Sequence, residues 1–180
     1  KLTGTYGKHI CYVTSSHSDP ILKRSDDRIQ SFCIGSGTVR TIFFVSLQAS
    51  VMVMTMPDLN TYHIKRSKNP VQYLYVYHSI NSTHMAYRPG AFDHYDQILC
   101  VGPHHVGEIR ATEALHGLKP KKLIEGGYVI LDSILKSAPD DRRTSEDGRR
   151  RILVAPSWGE NGLIDSCGPE LVEVLLDAGF

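Results

Sequence analysis

The stretch VQYLYVYH, residues 71–78, decides the fold class of this chain. It is the most strand-like run in the sequence, rich in the aromatic and β-branched residues that suit a pleated, packed surface. Pro70 stands directly before it and stops any helix from running in. Outward in both directions, short apolar runs alternate with helix-like stretches. Residues 9–14 (HICYVT), 30–34, 51–55, 97–101 and 121–125 read as further strands. Residues 38–49 read as a helix, and Pro103 suits the first turn of a second one reaching about residue 115. Residues 128–136 make a short third helix. Strand–helix alternation with near-continuous apolar strands implies an α/β fold whose mostly parallel sheet is covered on both faces.

The run SAPDDRRTSEDGRR, residues 137–150, has almost no apolar side chain and reads as an interdomain linker, with a solvated loop as the other reading. The expected organisation is an N-terminal domain over 1–136 with its start missing, a linker over 137–150, and the opening of a second α/β domain over 151–180. In that last piece RILVA, residues 151–155, reads as a strand and 156–166 as a loop. Residues 169–178 read as a helix with an apolar face at Leu171, Val174, Leu175 and Ala178, and Gly179 as its stop signal. One such unit lacks the rest of its sheet. The chain begins at Lys1 rather than Met and stops at Phe180 straight after a helix, so both ends are expected to be cuts.

With 180 residues and 41% hydrophobic content, the chain can bury one good core and begin another. Charged residues make up 22% and the net charge is +1, which argues against a nucleic-acid binder driven by a basic surface. Cys11, Cys33, Cys100 and Cys167 form no CxxC pair, and each lies in or beside an apolar run. They read as small hydrophobes in a reducing compartment, not as a disulfide framework or a zinc site. The longest apolar run, 41–56, is broken by Ser46, Gln48 and Ser50, short of the roughly 20 residues that span a bilayer. The start does not resemble a signal peptide, so a cytoplasmic location is expected.

In open α/β sheets ligands bind beyond the carboxyl ends of the strands. The residues there are Thr14-Ser15-Ser16, Gly35-Ser36-Gly37, Met56-Pro57-Asp58, His78-Ser79, Gly102-Pro103-His104, Gly126-Gly127 and Pro156-Ser157. Glycines and small residues dominate, as they must where backbone approaches a ligand closely. Gly35-Ser36-Gly37 lacks the third glycine of a dinucleotide fingerprint. It reads as a tight turn before a helix, with phosphate binding at that helix start as a looser use. No GxxxxGK[ST] segment exists. His78 has two readings, a core histidine satisfied by one hydrogen bond or a general base at the cleft mouth. His84, His94, His104 and His105 complete a histidine-rich middle whose spacing matches no metal-ligand pattern. Adjacent His104 and His105 should point in different directions at a helix start, where they would assist an anion. Asp58 reads first as a turn cap. No metal and no cofactor is expected.

Tyr77 through Met85, Gly90 through Asp96 and Cys100 through His105 resemble the CDP-glycerol glycerophosphotransferases. So do Gly127 through Asp132 and Arg151 through Trp158, in the same order along most of the chain. These enzymes build teichoic-acid-like polymers and share the GT-B glycosyltransferase architecture. The resemblance implies a Rossmann-like N-terminal domain that holds the acceptor and a second one that holds a nucleotide-activated donor, CDP-glycerol or a sugar nucleotide. It implies that His78 is the base that deprotonates the acceptor hydroxyl. Ser79 stands where a glycine is usual, which points to a divergent subfamily with a different acceptor. Ser15, Ser16, Gly35, Gly37, Asp58, Ser79, His84, Gly102, His104, Gly127 and Ser157 are the expected substrate-binding residues. The segment from Ser157 to Asn161 departs from the family's basic–acidic pair, and the family's later Arg-Pro-His-Pro-like segment does not occur. These residues alone are therefore expected not to turn over.

The leading expectation is a transferase of cell-envelope polymer synthesis, with no nucleic-acid partner and with peripheral attachment at the inner membrane face as a further expectation. Two other readings stand beside it. A sugar-nucleotide epimerase of the same architecture needs carboxylates converging on the cleft, for which Asp58 and Asp132 are the obvious residues. A non-catalytic α/β binding module needs no working His78.

Overall fold

The computed structural model describes residues 3–24, 27–62, 64–137, 152–156 and 162–179. The chain forms two compact units, Lys1–Ile130 and Leu131–Phe180. The first is a mixed α/β structure built on parallel strands, compatible with a Rossmann-like fold. Strands β1 (Ile10–Thr14) and β2 (Ile29–Cys33) pair in parallel. Helix α1 (Gly37–Ser46) follows, then β3 (Val51–Met54) and β4 (Gln72–Val76). A four-residue helix, α2 (Thr83–Ala86), leads to β5 (Gln97–Cys100), α3 (Pro103–His116) and β6 (Lys122–Glu125). Helix α4 (Val129–Ser137) runs across the boundary between the units.

The expected single sheet is two: β1–β2, and a four-stranded parallel sheet in the order β3-β4-β5-β6. The second has the register Val53↔Leu74, Leu74↔Gln97 and Gln97↔Lys122. Strands that follow one another in sequence order, joined by right-handed crossovers, send every connection over the same face. That face is the core: Tyr73, Tyr75, Ile98 and Cys100 are fully buried, with Met54, Tyr77, Tyr95 and Ile109 packed among them. On the other face Val51 and Val53 are exposed and Leu74, Val76, Leu99 and Ile124 are only half-buried. Coverage of both faces, expected from the apolar strands, is therefore not found among the described residues of the first unit.

The stretch that decided the fold class is the centre of the core. Tyr73, Tyr75 and Tyr77 alternate inward along β4 and its continuation, and the Tyr75 ring meets Tyr77, Phe92 and Tyr95 at 4.7, 4.9 and 5.1 Å. Aromatic edges against faces at these spacings add to simple area burial. The start of β4 is fixed by Asp96, whose Oδ2 accepts the Tyr73 N–H at 2.8 Å and pairs with Arg66 Nη2 at 3.0 Å. The Arg66 guanidinium also lies 4.6 Å over the Tyr73 ring.

In the second unit, α5 (Leu163–Asp177) breaks at Cys167, where φ is −151°. Pro169 lies two residues on: it has no N–H to donate to the carbonyl four residues back and its ring clashes with that carbonyl, so the helix cannot run straight through this turn. The helix expected from residue 169 is its second half, and Gly179, at φ +81°, ends it as expected. Residues 152–156 carry no strand, contrary to the reading of RILVA, because no partner strand lies alongside among the described residues. Most of the expected linker lies outside the described residues. Among those described, no helix is long and apolar enough to cross a membrane.

Candidate functional site

Parallel pairing brings the carboxyl ends of β4, β5 and β6 to one edge, and with them His78–Ser79, Gly102–His104 and Gly126–Tyr128. His78 is exposed there, one residue beyond buried Tyr77, so it is not a core histidine. The Tyr128 hydroxyl donates to the His78 carbonyl at 2.9 Å and ties the turn after β6 to the exit of β4. Ser79 Oγ lies 3.5 Å from the Tyr87 hydroxyl. The turn also depends on Gly126: a Cβ there would stand 2.4 Å from Leu99 Cδ1, closer than side chains tolerate.

At the start of α3 His104 is exposed and His105 fully buried, yet their rings lie 4.4 Å apart, so the two side chains do not diverge as expected. His105 lies against the Tyr77 ring at 4.1 Å, and its Nε2–H donates to the Asn81 carbonyl at 2.8 Å. The Val101 N–H points at Nδ1 from 3.5 Å, which fixes the neutral Nε2–H tautomer. Burial lowers the pKa of this imidazole, a nearby His104 adds to that, and the bond to Asn81 opposes it. His105 thus pins the loop that leaves His78.

Glu108, one turn further along α3, receives the Thr83 N–H at 2.5 Å and the Thr83 hydroxyl at 2.6 Å on one carboxylate oxygen. Burial alone would raise its pKa, but these bonds, with Ser82 and His84, take it down to about 2. His84 Nδ1 lies 3.0 Å from Ser82 Oγ and 3.6 Å from Glu108 Oε1. Ser, His and Glu therefore converge, yet both contacts use the same ring nitrogen. A proton relay needs the two nitrogens separately, and Ser82 Oγ is also the cap of α2, accepting the Met85 N–H at 3.3 Å. This cluster is structural.

The remaining candidates follow other strands. Asp58 follows β3 at φ +66° and pairs with Arg88 Nε at 2.5 Å, a partner that the cap reading did not contain. Ser15, Ser16, Gly35 and Gly37 lie at the carboxyl end of the two-stranded sheet. Gly35 and Gly37 adopt φ +61° and +67°, which makes them the residues of the turn into α1. Ser157 lies outside the described residues. A cavity of about 180 Å³ opens between the 83–93 segment and the later turns of α3, lined by Tyr87, Phe92, Ile109 and Leu118 with His84 and Lys121. It does not include His78. Among the described residues no three His, Cys, Asp or Glu side chains converge as a metal site requires.

Tyr128 and Glu108 are the residues of this edge that the strand-exit reading missed, and His105, expected to assist an anion, is instead fully buried and holds the Asn81 carbonyl. One signal was available for His105: it stands four residues before Ile109 and eight before Glu113, and these three are the buried residues of α3. The chain matches no family model, no curated protein and no solved structure.

Proposed function

We propose that this chain is the acceptor side of a GT-B-like transferase that moves a glycerol phosphate or sugar unit from a nucleotide-activated donor to a hydroxyl. The observation that carries the reading is His78, exposed at the carboxyl edge of the sheet on a backbone held by Tyr128. In this reading its imidazole takes the hydroxyl proton as the oxygen attacks. With CDP-glycerol a new O–P bond forms and CMP leaves; with a sugar nucleotide a bond to the anomeric carbon forms and a nucleoside diphosphate leaves. Ser79, His104 and the Gly102 and Gly127 backbones line the same edge and would orient the acceptor. Donor contacts belong to a second domain, and assembly there in a cytoplasmic or membrane-peripheral setting is part of the same proposal. The epimerase reading is weakened by Asp58, whose carboxylate is engaged by Arg88.

The test uses this chain joined to a donor-binding domain, incubated with CDP-glycerol and with UDP- and GDP-sugars while released nucleotide is measured. CMP release points to glycerol phosphate, diphosphate release to a sugar, and silence with every donor removes the transferase reading. His78→Ala should lower the rate by roughly 10²–10⁴, the scale of a positioned acid–base group, without loss of stability. An unchanged rate removes the base assignment and leaves a binding module.

A further inference from the structure

We propose that Cys33 and His17 form a nucleophilic thiol site at the carboxyl ends of β1 and β2, apart from the His78 edge, that takes soft carbon electrophiles. Parallel register sets Thr14 opposite Cys33, and the Ile34 N–H donates to the Thr14 carbonyl at 2.9 Å. The chain leaving β1 therefore emerges beside the thiol. It turns there: the Ser16 N–H donates to Thr14 Oγ1 at 3.1 Å, Ser16 Oγ meets Ser18 Oγ at 3.0 Å, and the Asp19 N–H returns to the Ser16 carbonyl at 3.3 Å. The turn sets His17 Nδ1 3.3 Å from Cys33 Sγ. Cys33 is half-buried and His17 exposed, so reagents in solution reach the pair. The other cysteines are differently placed. Cys100 is fully buried, with burial raising its pKa, and the Cys167 thiol donates to the Leu163 carbonyl at 3.5 Å. Cys11 is exposed and serves as the internal reference.

The step is an addition. The thiol proton passes to His17 Nδ1 as sulfur bonds to the β-carbon of an α,β-unsaturated carbonyl compound. The displaced π pair moves to the α-carbon, which then takes the proton back from His17. Nothing leaves and nothing is oxidised. An unassisted thiol is only about 3% thiolate at pH 7, so a base within reach raises its rate by at most roughly thirtyfold.

The experiment is labelling of the 180-residue chain with limiting N-ethylmaleimide at pH 7, followed by peptide mapping. Cys33 should label on the order of tenfold faster than Cys11 in the folded chain and at the same rate in urea. His17→Ala and His17→Gln should bring Cys33 down to the Cys11 rate while leaving Cys11 labelling and the circular dichroism spectrum unchanged. Equal native rates overturn the site, whatever the variants do, and so does an undiminished Cys33 rate in a folded His17 variant. The outcome does not depend on the transferase reading, because His78 takes no part in it.

Discussion

Replacing Glu108 tests how the His78 loop is held. In Glu108→Ala the Thr83 N–H and hydroxyl lose their acceptor while Thr83 stays buried. Bonds to a charged acceptor contribute about 1.5–3 kcal/mol each, and two bonds to one oxygen add incompletely, so the loss should be about 3 kcal/mol. The carboxyl's own shift gives an independent figure. A fall from 4.5 to about 2 corresponds to roughly 3 kcal/mol, and a side chain that keeps 20% of its surface in water brings this nearer 2 kcal/mol. Glu108→Gln keeps an acceptor oxygen but loses the charge, so it should cost about 1–2 kcal/mol at pH 7. The sign follows from the direction of the shift. A carboxyl depressed in the folded state stabilises the fold above its unfolded value near 4.5, and that stability drains away as pH falls towards 2. The gap between the parent chain and Glu108→Gln should therefore be constant from pH 7 to 5, narrow through pH 4 and 3, and close near pH 2. Urea unfolding at each pH reads it directly. A gap that stays constant down to pH 3 would refute the assignment of the carboxylate as the charged holder of α2.

Two further changes probe the same edge. His105 is buried as the neutral tautomer, so its lowered pKa makes it a liability below the ordinary histidine value of 6.5, where the unfolded chain gains a proton and the folded one does not. Stability should decline between pH 7 and 5, and His105→Gln should flatten that slope while costing stability at pH 8; parallel slopes in the two proteins would contradict it. Gly126→Ala should destabilise by about 1–3 kcal/mol, since the new methyl meets Leu99 and one of them must move. Adding Leu99→Ala should recover part of that loss in the double variant, and a purely additive result would locate the strain elsewhere.

The order and type of the elements were legible because each strand of the first unit is a dense apolar run bounded by proline, glycine or polar residues. Residues 71–78 were read as a buried strand, and Tyr73, Tyr75 and Tyr77 are its buried side. Strand order was not legible. Nothing in the residues of β3 to β6 states that they lie in sequence order, and it is that order which places every crossover on one face. Residues 152–156 illustrate the other limit: β propensity describes fit to a neighbouring strand, and among the described residues they have none. At the candidate site the sequence left His78 open between a core histidine and a general base, and its exposure came only from the structure, where β4 ends at Val76 and His78 follows buried Tyr77. Its supports were not legible either, because a histidine and two glutamates within a helix are ordinary on a solvated face and only tertiary partners reveal them.

Those partners give α3 a role that its apolar residues alone do not explain. Several of its polar side chains hold a neighbouring segment by a main-chain group. His105 takes the Asn81 carbonyl, Glu108 the Thr83 N–H, and buried Glu113 the Lys121 N–H at 2.8 Å just before β6. Apolar contacts would seat the helix but leave those backbone groups unpaired, and a buried unpaired group costs about 1–3 kcal/mol. Directional bonds instead fix the loop after β4 and the entry of β6 relative to one rigid rod. The exposed His78 therefore stands on a loop that is specified in part by residues of α3 that it does not touch. His105 titrates below the ordinary histidine value and Glu108 in strong acid, so the edge should loosen in acid in two separable steps. Whatever His78 does, its placement rests on α3 together with the Tyr128 hydroxyl on its own carbonyl.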